Sequence, residues 1–175
     1  MPNINPNENT FQNFLAEGVS AIQNAIGLDG HTINAWTISQ IGSGGRAYAF
    51  TVIPFAGPGS PTTYYAAVWV AKSVGPPAFP ALAFSPLTGV GHFVQIDEVT
   101  GAIASSQTSG NFGVNVSGNF YQIWVNLPDT STSIEFQVEL YPSGLGVFDG
   151  FPSAGQQTAS AAVFTVCDVS IGAHP

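Results

Sequence analysis

The segment SIEFQVELY, residues 133–141, alternates apolar and polar side chains along its whole length. Successive side chains of an extended strand point to opposite faces, so this pattern predicts a strand with one apolar and one polar side. After Gly30 the same alternation recurs, most clearly in INAWTISQI (33–41), RAYAFTVI (46–53) and FVQIDEV (93–99). A period of two sustained over the chain predicts an all-β fold of about eight or nine antiparallel strands, arranged as a β-sandwich or jelly roll.

Turn residues separate several of the alternating segments. Thr100-Gly101 and Ser117-Gly118-Asn119 each lie between two such segments and predict tight hairpin turns. The run TTYYAAVWVAKSV, residues 62–74, is apolar on both faces, as is typical of a strand buried in the middle of a sheet. The last alternating segment contains Cys167, the single cysteine of the chain, which we expect to be a buried thiol outside any disulfide.

The residues before Gly30 follow a different pattern. Residues 1–9 combine Pro and Asn without apolar periodicity and are expected to form an extended N-terminal arm. Apolar residues then recur at spacings of three and four, at Phe11, Phe14, Leu15, Val19, Ile22 and Ile26. This spacing predicts an amphipathic helix over 10–27, which ends at Gly27. The helix would begin a single β-sandwich domain that spans residues 10–175.

Charged side chains are scarce in this chain. Its 175 residues contain two basic side chains, Arg46 and Lys72, and ten acidic ones, which gives a formal net charge of −8. Two cations cannot neutralise a row of phosphates, so we expect no binding to nucleic acid and no attraction to anionic lipid. No apolar run approaches the roughly 20 residues of a membrane span, so stable membrane insertion is not expected either.

The N-terminal residues do not indicate a cellular location. MPNINPNENT, residues 1–10, has neither the basic nor the apolar region of a conventional signal peptide. Residence in the cytosol, unconventional secretion and removal of a leader all remain open, and the localisation is therefore unknown.

Residues with catalytic or metal-binding chemistry are scattered along the chain. The three histidines share no spacing that is typical of metal ligands. Glu135 and Glu139 would lie about 13 Å apart on a strand, which exceeds the separation of the two carboxylates of a glycosidase. The glycine-rich GSGGR (42–46) precedes a strand pattern rather than a helix, which argues against a phosphate-binding loop. We therefore expect a non-enzymatic protein without a metal or cofactor.

Aromatic residues in the alternating strands form the main candidate binding site. Beside Asn and Gln such side chains suit neutral sugars, because the C–H faces of a sugar pack on aromatic rings while its hydroxyls bond to amides. With so few cations in the chain, Arg46 is a candidate for an anionic group. The candidate ligand-binding residues are Tyr64, Tyr65, Trp69, Tyr121, Trp124, Tyr141 and Arg46. The alternative for each aromatic side chain is a place in the hydrophobic core.

A proline-rich apolar stretch interrupts the strand pattern. VGPPAFPALAFSPLTGVG, residues 74–91, contains four prolines, which lack the backbone N–H that a sheet ladder needs. The stretch is therefore expected to be a long loop or a sheet edge that packs on its own core or on a partner. The candidate interface residues are Phe79, Leu82, Phe84 and Leu87.

Three hypotheses for the function follow. The first is a self-assembling structural subunit, a homo-oligomer in a filament, coat, inclusion or virion, because an uncharged polar surface can be buried at little electrostatic cost. The alternative is a lectin-like module that binds neutral glycans through its aromatic residues. The second alternative is a small pore-forming protein, since a helix followed by a sandwich is similar in layout to the actinoporin-like cytolysins.

Overall fold

The computed structural model describes residues 15–17, 19–41, 48–54, 62–75, 78–86, 92–108, 111–129, 135–141 and 163–174. Within these ranges the chain is all-β, with twelve strands and no helix. The strands are β1 (Leu15–Glu17), β2 (Val19–Ile26), β3 (Ile33–Gln40), β4 (Tyr48–Pro54), β5 (Thr62–Ala71), β6 (Ala81–Pro86), β7 (His92–Ile96), β8 (Ile103–Gln107), β9 (Phe112–Ser117), β10 (Phe120–Asp129), β11 (Glu135–Tyr141) and β12 (Val163–His174).

The strands form two six-stranded sheets. We call the sheet with the order β2-β3-β12-β5-β10-β9 the platform sheet, and the sheet with the order β1-β4-β11-β6-β7-β8 the back sheet. Every strand pair in both sheets is antiparallel. Backbone contacts join β10 to β6 and β7, so the two sheets lie against each other. The predicted all-β antiparallel class is confirmed.

The described core lies where the centres of the two sheets meet. On β5 every second residue is at most 1% exposed, namely Tyr64, Ala66, Val68 and Val70. Ile123 and Val125 of β10 and Leu82 and Phe84 of β6 are fully buried as well. Full burial of a Val, Leu, Ile or Phe side chain contributes about 1.5–3 kcal/mol, so these residues stabilise the packing of β5 and β10 against β6.

The predicted helix over 10–27 is wrong, because its described part forms strands β1 and β2. β2 pairs with β3 from Val19 opposite Gln40 to Ile26 opposite Ile33. A helix would have buried Ile22 and Ile26 on its apolar face, whereas they are 56% and 46% exposed on the strand. The spacing of three and four was therefore coincidental, and β3 supplies the backbone hydrogen bonds that a helix would have made internally.

A well-formed turn explains why β2 and β3 pair. The Asp29 carboxylate accepts hydrogen bonds from the backbone N–H groups of His31 and Thr32, each at 2.9 Å. Gly30 adopts a φ of 72°, which a glycine reaches at little cost. A turn closed by such local bonds brings the two strands together and competes successfully with helix formation.

The proline-rich stretch 74–91 also contains a strand, which corrects the expectation of a loop or sheet edge. β6 lies inside the back sheet between β11 and β7. The prolines do not interrupt it, because Pro80 precedes the strand and Pro86 ends it. Leu82 and Phe84 are 0% exposed and pack in the chain's own core, so the interface expected at these two residues needs the same correction.

The two predicted hairpins are confirmed. β7 and β8 are joined through the turn that contains Thr100-Gly101, and β9 and β10 through Gly118-Asn119. In the first turn the Asp97 carboxylate accepts bonds from the N–H groups of Val99 and Thr100, at 2.8 and 3.1 Å. The three strands that the sequence pattern did not predict are β1, β2 and β6, which account for twelve strands in place of eight or nine. The arm predicted at 1–9 lies outside the described residues.

Candidate binding site

The register of β5 and β10 sorts the candidate aromatic residues by face. Paired residues of antiparallel strands project to the same side of the sheet. Trp69 lies opposite Gln122, Trp124 lies opposite Ala67, and Tyr65 lies opposite Asn126. These residues occupy the outer face, because the alternate residues of both strands form the core.

Burial separates the outer aromatics from those in the core. Tyr65, Trp69 and Trp124 are partly exposed, while Tyr64 and Tyr121 are only 1% and 7% exposed. Three of the predicted ligand-binding aromatics therefore share one surface of the platform sheet. Tyr64 and Tyr121 were predicted to bind ligand, but the structure places them in the core. Each is adjacent along its strand to an outer-face residue and therefore points to the inner face.

The remaining predicted site residues do not join this surface. Tyr141 ends β11 in the back sheet, opposite Ala81, so its strand lies in the other sheet. Phe79, predicted at an interface, is partly exposed, and its carbonyl accepts a hydrogen bond from the Gln95 side chain at 2.9 Å. Arg46 and Leu87 lie outside the described residues.

Trp124 lies against a glycine on the neighbouring edge strand. Gly113 of β9 is directly opposite Trp124 in the register. A Cβ atom on Gly113 would come within 2.8 Å of Trp124 Cζ2 and 3.0 Å of Cε2, closer than ordinary contacts allow. The indole therefore occupies the space that a side chain at position 113 would fill. The sequence prediction missed Gly113, although a glycine inside a strand often marks such a close approach.

Amide side chains accompany the aromatic rings on the outer face. Asn115 donates a hydrogen bond from Nδ2 to Gln122 Oε1 at 3.0 Å, which orients the Gln122 amide next to Trp69 and Trp124. Asn126, opposite Tyr65, is partly exposed. The sequence pattern could have identified these residues, since Gln122, Trp124 and Asn126 alternate on one face of β10.

The outer face of β5, β9 and β10 carries no charged side chain at the positions that the register assigns to it. These positions are Thr63, Tyr65, Ala67, Trp69, Ala71, Gly113, Asn115, Ser117, Phe120, Gln122, Trp124, Asn126 and Pro128, of which Ala67 and Phe120 are buried. We call this surface the platform. Because no ion must lose its hydration there, an uncharged ligand can cover the platform without the desolvation cost of a charge.

A cleft of about 860 Å³ lies at the end of the platform. It is bounded by the β2–β3 turn, the residues that follow β5, and the β9–β10 turn. Lys72 forms part of its lining, and its Nζ donates a hydrogen bond to the Gly118 carbonyl at 2.7 Å. The same ammonium lies 4.9 Å from the centre of the Tyr121 ring, a distance that permits a cation–π interaction.

A second glycine makes room for the tyrosine beneath this lysine. Gly101 has a φ of 73°, and a Cβ atom there would lie 2.8 Å from Tyr121 Cδ1. The Tyr121 hydroxyl donates a hydrogen bond to the Val99 carbonyl at 3.2 Å. Tyr121 thus connects the β7–β8 turn to β10 through this hydrogen bond, and its ring packs on the core side of the cleft.

Two of the turns that contribute to the cleft lining carry an Asp carboxylate. Hydrogen bonds from the Thr32 hydroxyl and from the backbone of His31 and Thr32 lower the pKa of Asp29 to about 2, so its carboxylate is ionised beside Gly30. Asp97 caps the turn that carries Val99, a residue of the cleft lining. The turns around the cleft therefore carry negative charge, while Lys72 in the lining carries positive charge.

Two buried titratable groups lie outside the platform. Burial raises the pKa of Glu98, although hydrogen bonds from the Ser73 side chain and the Ala78 backbone oppose this effect. Burial lowers the pKa of His92, whose Nδ1 lies 3.1 Å from the Thr108 hydroxyl.

The described ranges contain no group of three His, Cys, Asp or Glu side chains arranged to hold a metal ion. Within the same ranges, no helix has the length and apolarity needed to cross a membrane.

Comparisons with known proteins give a distant likeness to a solved structure. No family model matches the chain, and no curated protein matches it. Among solved structures, the carbohydrate-binding module TmCBM61, in complex with β-1,4-galactotriose, superposes with a TM-score of 0.47 at 10% sequence identity. The match covers 99% of this chain and 100% of that chain. A likeness of this size establishes neither a shared fold nor a shared ligand.

Proposed function

We propose that this chain is a non-catalytic β-sandwich module that binds neutral carbohydrate on the platform. The observation that carries the proposal is the outer face of β5 and β10, where Tyr65, Trp69 and Trp124 are partly exposed beside Gln122 and Asn126. Such a surface has the two kinds of group that a sugar requires.

The chemistry of the platform matches that of a pyranose. Aromatic rings offer apolar faces against which sugar C–H groups pack, and primary amides both donate and accept hydrogen bonds with hydroxyls. Trp124 is held against Gly113 and the Gln122 amide is oriented by Asn115, so both are largely positioned before a ligand arrives. A preorganised surface loses less conformational entropy on binding and therefore binds more tightly.

The absence of charge on the platform supports a neutral ligand and a binding role. Hydrolysis of a glycosidic bond ordinarily needs two carboxylates placed across the sugar, and the platform positions carry none. An acidic glycan would gain no cationic partner on this surface, and it would meet a chain of net charge −8.

The two competing hypotheses receive no support from the described residues. The self-assembly hypothesis, ranked first from the sequence, relied on the scarcity of charge, which suits a neutral ligand equally well. It also relied on an arm that lies outside the described residues and on a proline-rich loop whose Leu82 and Phe84 are buried. The pore-forming hypothesis relied on an N-terminal helix where the described residues form strands. Neither is therefore proposed.

A glycan array followed by calorimetric titration tests the proposal. We expect binding to one class of neutral oligosaccharide, and Trp124→Ala should weaken it by about 2 kcal/mol, or roughly thirtyfold, because aromatic side chains dominate such contacts. Ile103→Ala is the matched control, because Ile103 is 45% exposed on β8 of the back sheet. The proposal fails if no neutral glycan binds, or if the two variants weaken binding equally.

A further inference from the structure

Resting on the proposed function, we infer that the carbohydrate site continues from the platform into the cleft at the end of β5, and that the module therefore selects neutral oligosaccharides over single sugars. The platform and the cleft would form one binding track along β5. Rings of the ligand would stack on Tyr65, Trp124 and Trp69, and the next part of the same chain would enter the cleft.

Direct packing connects the platform with the cleft. Phe120 is buried against Ala35, and Trp69, Leu28 and Ala71 pack on this pair. Phe120, Ala71 and Leu28 also line the cleft. The side chain of Trp69 therefore contacts the same small cluster that forms one wall of the cleft, with no intervening ridge of charged residues on β5.

The length of this track exceeds the size of one sugar. Tyr65 and Ala71 share the outer face of β5 and are six residues apart, which corresponds to about 20 Å at the rise of an antiparallel strand. A single pyranose ring is comparable in size to one aromatic side-chain ring. It can cover one aromatic residue of the platform, but it cannot also reach the cleft.

The lining of the cleft suits sugar hydroxyls and C–H groups together. Leu28 and Val99 provide apolar surface, while Ser117 and Asn119 provide exposed polar side chains. The Lys72 ammonium has three N–H donors, of which one is directed to the Gly118 carbonyl.

The charges around the cleft favour a neutral chain over an acidic one. The Asp29 carboxylate flanks the turn on one side of the cleft, and the Asp97 carboxylate caps the turn on another. Together with the net charge of −8, their negative charge opposes the attraction that Lys72 would exert on a uronic acid or a sulfated sugar. The cleft therefore does not favour an anionic group at that end of the ligand.

The test combines a series of ligand lengths with a substitution at the mouth of the cleft. Calorimetric affinities are measured for the mono- to hexasaccharides of the glycan that the array identifies. Gly118 lines the cleft, its φ is 52°, and a Cβ atom there would meet nothing within 4 Å. Gly118→Asn should therefore fold, because Asn tolerates the left-handed region, and it adds a side chain where the ligand would pass.

We expect affinity to rise with length beyond the disaccharide and then to level off. Gly118→Asn should reduce affinity for the longest ligand about tenfold, the equivalent of roughly one lost polar contact, and leave disaccharide affinity unchanged. Val116→Asn is the control, because Val116 is 64% exposed on the same hairpin but does not line the cleft. Asn119→Ala, which removes an exposed side chain of the cleft, should repeat the length-dependent loss without adding bulk.

The outcomes separate this inference from the proposed function. If the disaccharide binds as tightly as the hexasaccharide, or if Gly118→Asn and Asn119→Ala spare the long ligands, the cleft takes no part and the inference is refuted alone. If no neutral glycan of any length binds, the proposed function is refuted and the inference with it.

Discussion

Replacing Gly113 with alanine should disturb the binding surface while leaving the fold intact. The added Cβ would stand 2.8 Å from Trp124 Cζ2, about 0.6 Å short of an ordinary contact of 3.4 Å. Trp124 is partly exposed, so its indole can swing outward to relieve the contact. A binding constellation tolerates displacements of about 0.5 Å, and the indole must move at least that far.

The expected energies differ between stability and binding. Alanine stabilises a strand by about 0.5–1 kcal/mol relative to glycine, and overpacking costs about 1–3 kcal/mol, with the lower value expected for a side chain that can move. The free energy of unfolding should therefore change by less than about 1 kcal/mol. The affinity for the neutral glycan should fall about tenfold, which corresponds to about 1.4 kcal/mol.

Calorimetric titration and urea denaturation measure the two quantities on the same protein. Gly75→Ala is the matched control, because a Cβ there makes an ordinary 3.7 Å contact with Ser73 Oγ, and Gly75 lies outside the platform. If Gly113→Ala binds the glycan as tightly as the natural chain does, the indole of Trp124 is not part of the site. A loss of stability of about 3 kcal/mol or more would show that the close approach serves the fold instead.

Three further predictions concern stability. Gly101→Ala and Gly30→Ala both place alanine at positive φ, which costs about 1–2 kcal/mol of stability. Gly101→Ala should lower the free energy of unfolding, measured by urea denaturation, by about 1–3 kcal/mol more, because its Cβ also clashes with the Tyr121 ring. Equal losses of stability in the two variants would contradict this packing. Burial raises the pKa of Glu98, so protonation of its carboxylate favours the native state. Glu98→Gln should therefore raise the free energy of unfolding at pH 7, and this gain should vanish below about pH 4. A gain in stability that does not depend on pH would contradict the prediction. Burial lowers the pKa of His92, so the neutral imidazole contributes to the stability of the native state above pH 6.5, and this contribution is lost as the pH falls through the lowered pKa. His92→Asn should therefore flatten this part of the curve of unfolding free energy against pH. An unchanged curve would contradict the prediction.

The strands that the sequence pattern predicted well are those whose two faces have different environments. In FYQIWVNL, residues 120–127, Ile123 and Val125 are buried while Gln122 and Trp124 remain partly exposed. Alternation reports this difference directly, because each face is selected for its own surroundings. The hairpin turns were equally predictable, since Gly101 and Gly118 both adopt positive φ.

The segments that were missed lack this contrast. β2 keeps Ile22 and Ile26 exposed, so its apolar residues do not mark a buried face, and their spacing indicated a helix instead. In β6 the consecutive residues Leu82, Ala83 and Phe84 are all buried, so both faces are covered and no alternation remains. Prolines near the ends of β6 then suggested a loop, although they do not interrupt the strand.

Three of the six candidate aromatic residues lie on the platform, and the sequence did not show which three. Tyr64 and Tyr65 are consecutive, so the sequence requires that they face opposite sides of a strand, but only their burial in the folded chain shows which one is outside. The cleft was not predictable, because it combines turns that are distant in sequence.

The most direct test of the account is chemical-shift mapping by NMR with the neutral glycan that binds best. The account predicts that the indole N–H signals of Trp69 and Trp124 and the side-chain amide signals of Gln122 and Asn126 shift on titration. The side-chain amide of Gln107, exposed on β8 of the back sheet, should stay unchanged. Shifts confined to the back sheet, or no shifts with any neutral glycan, would contradict the claim that the platform binds carbohydrate.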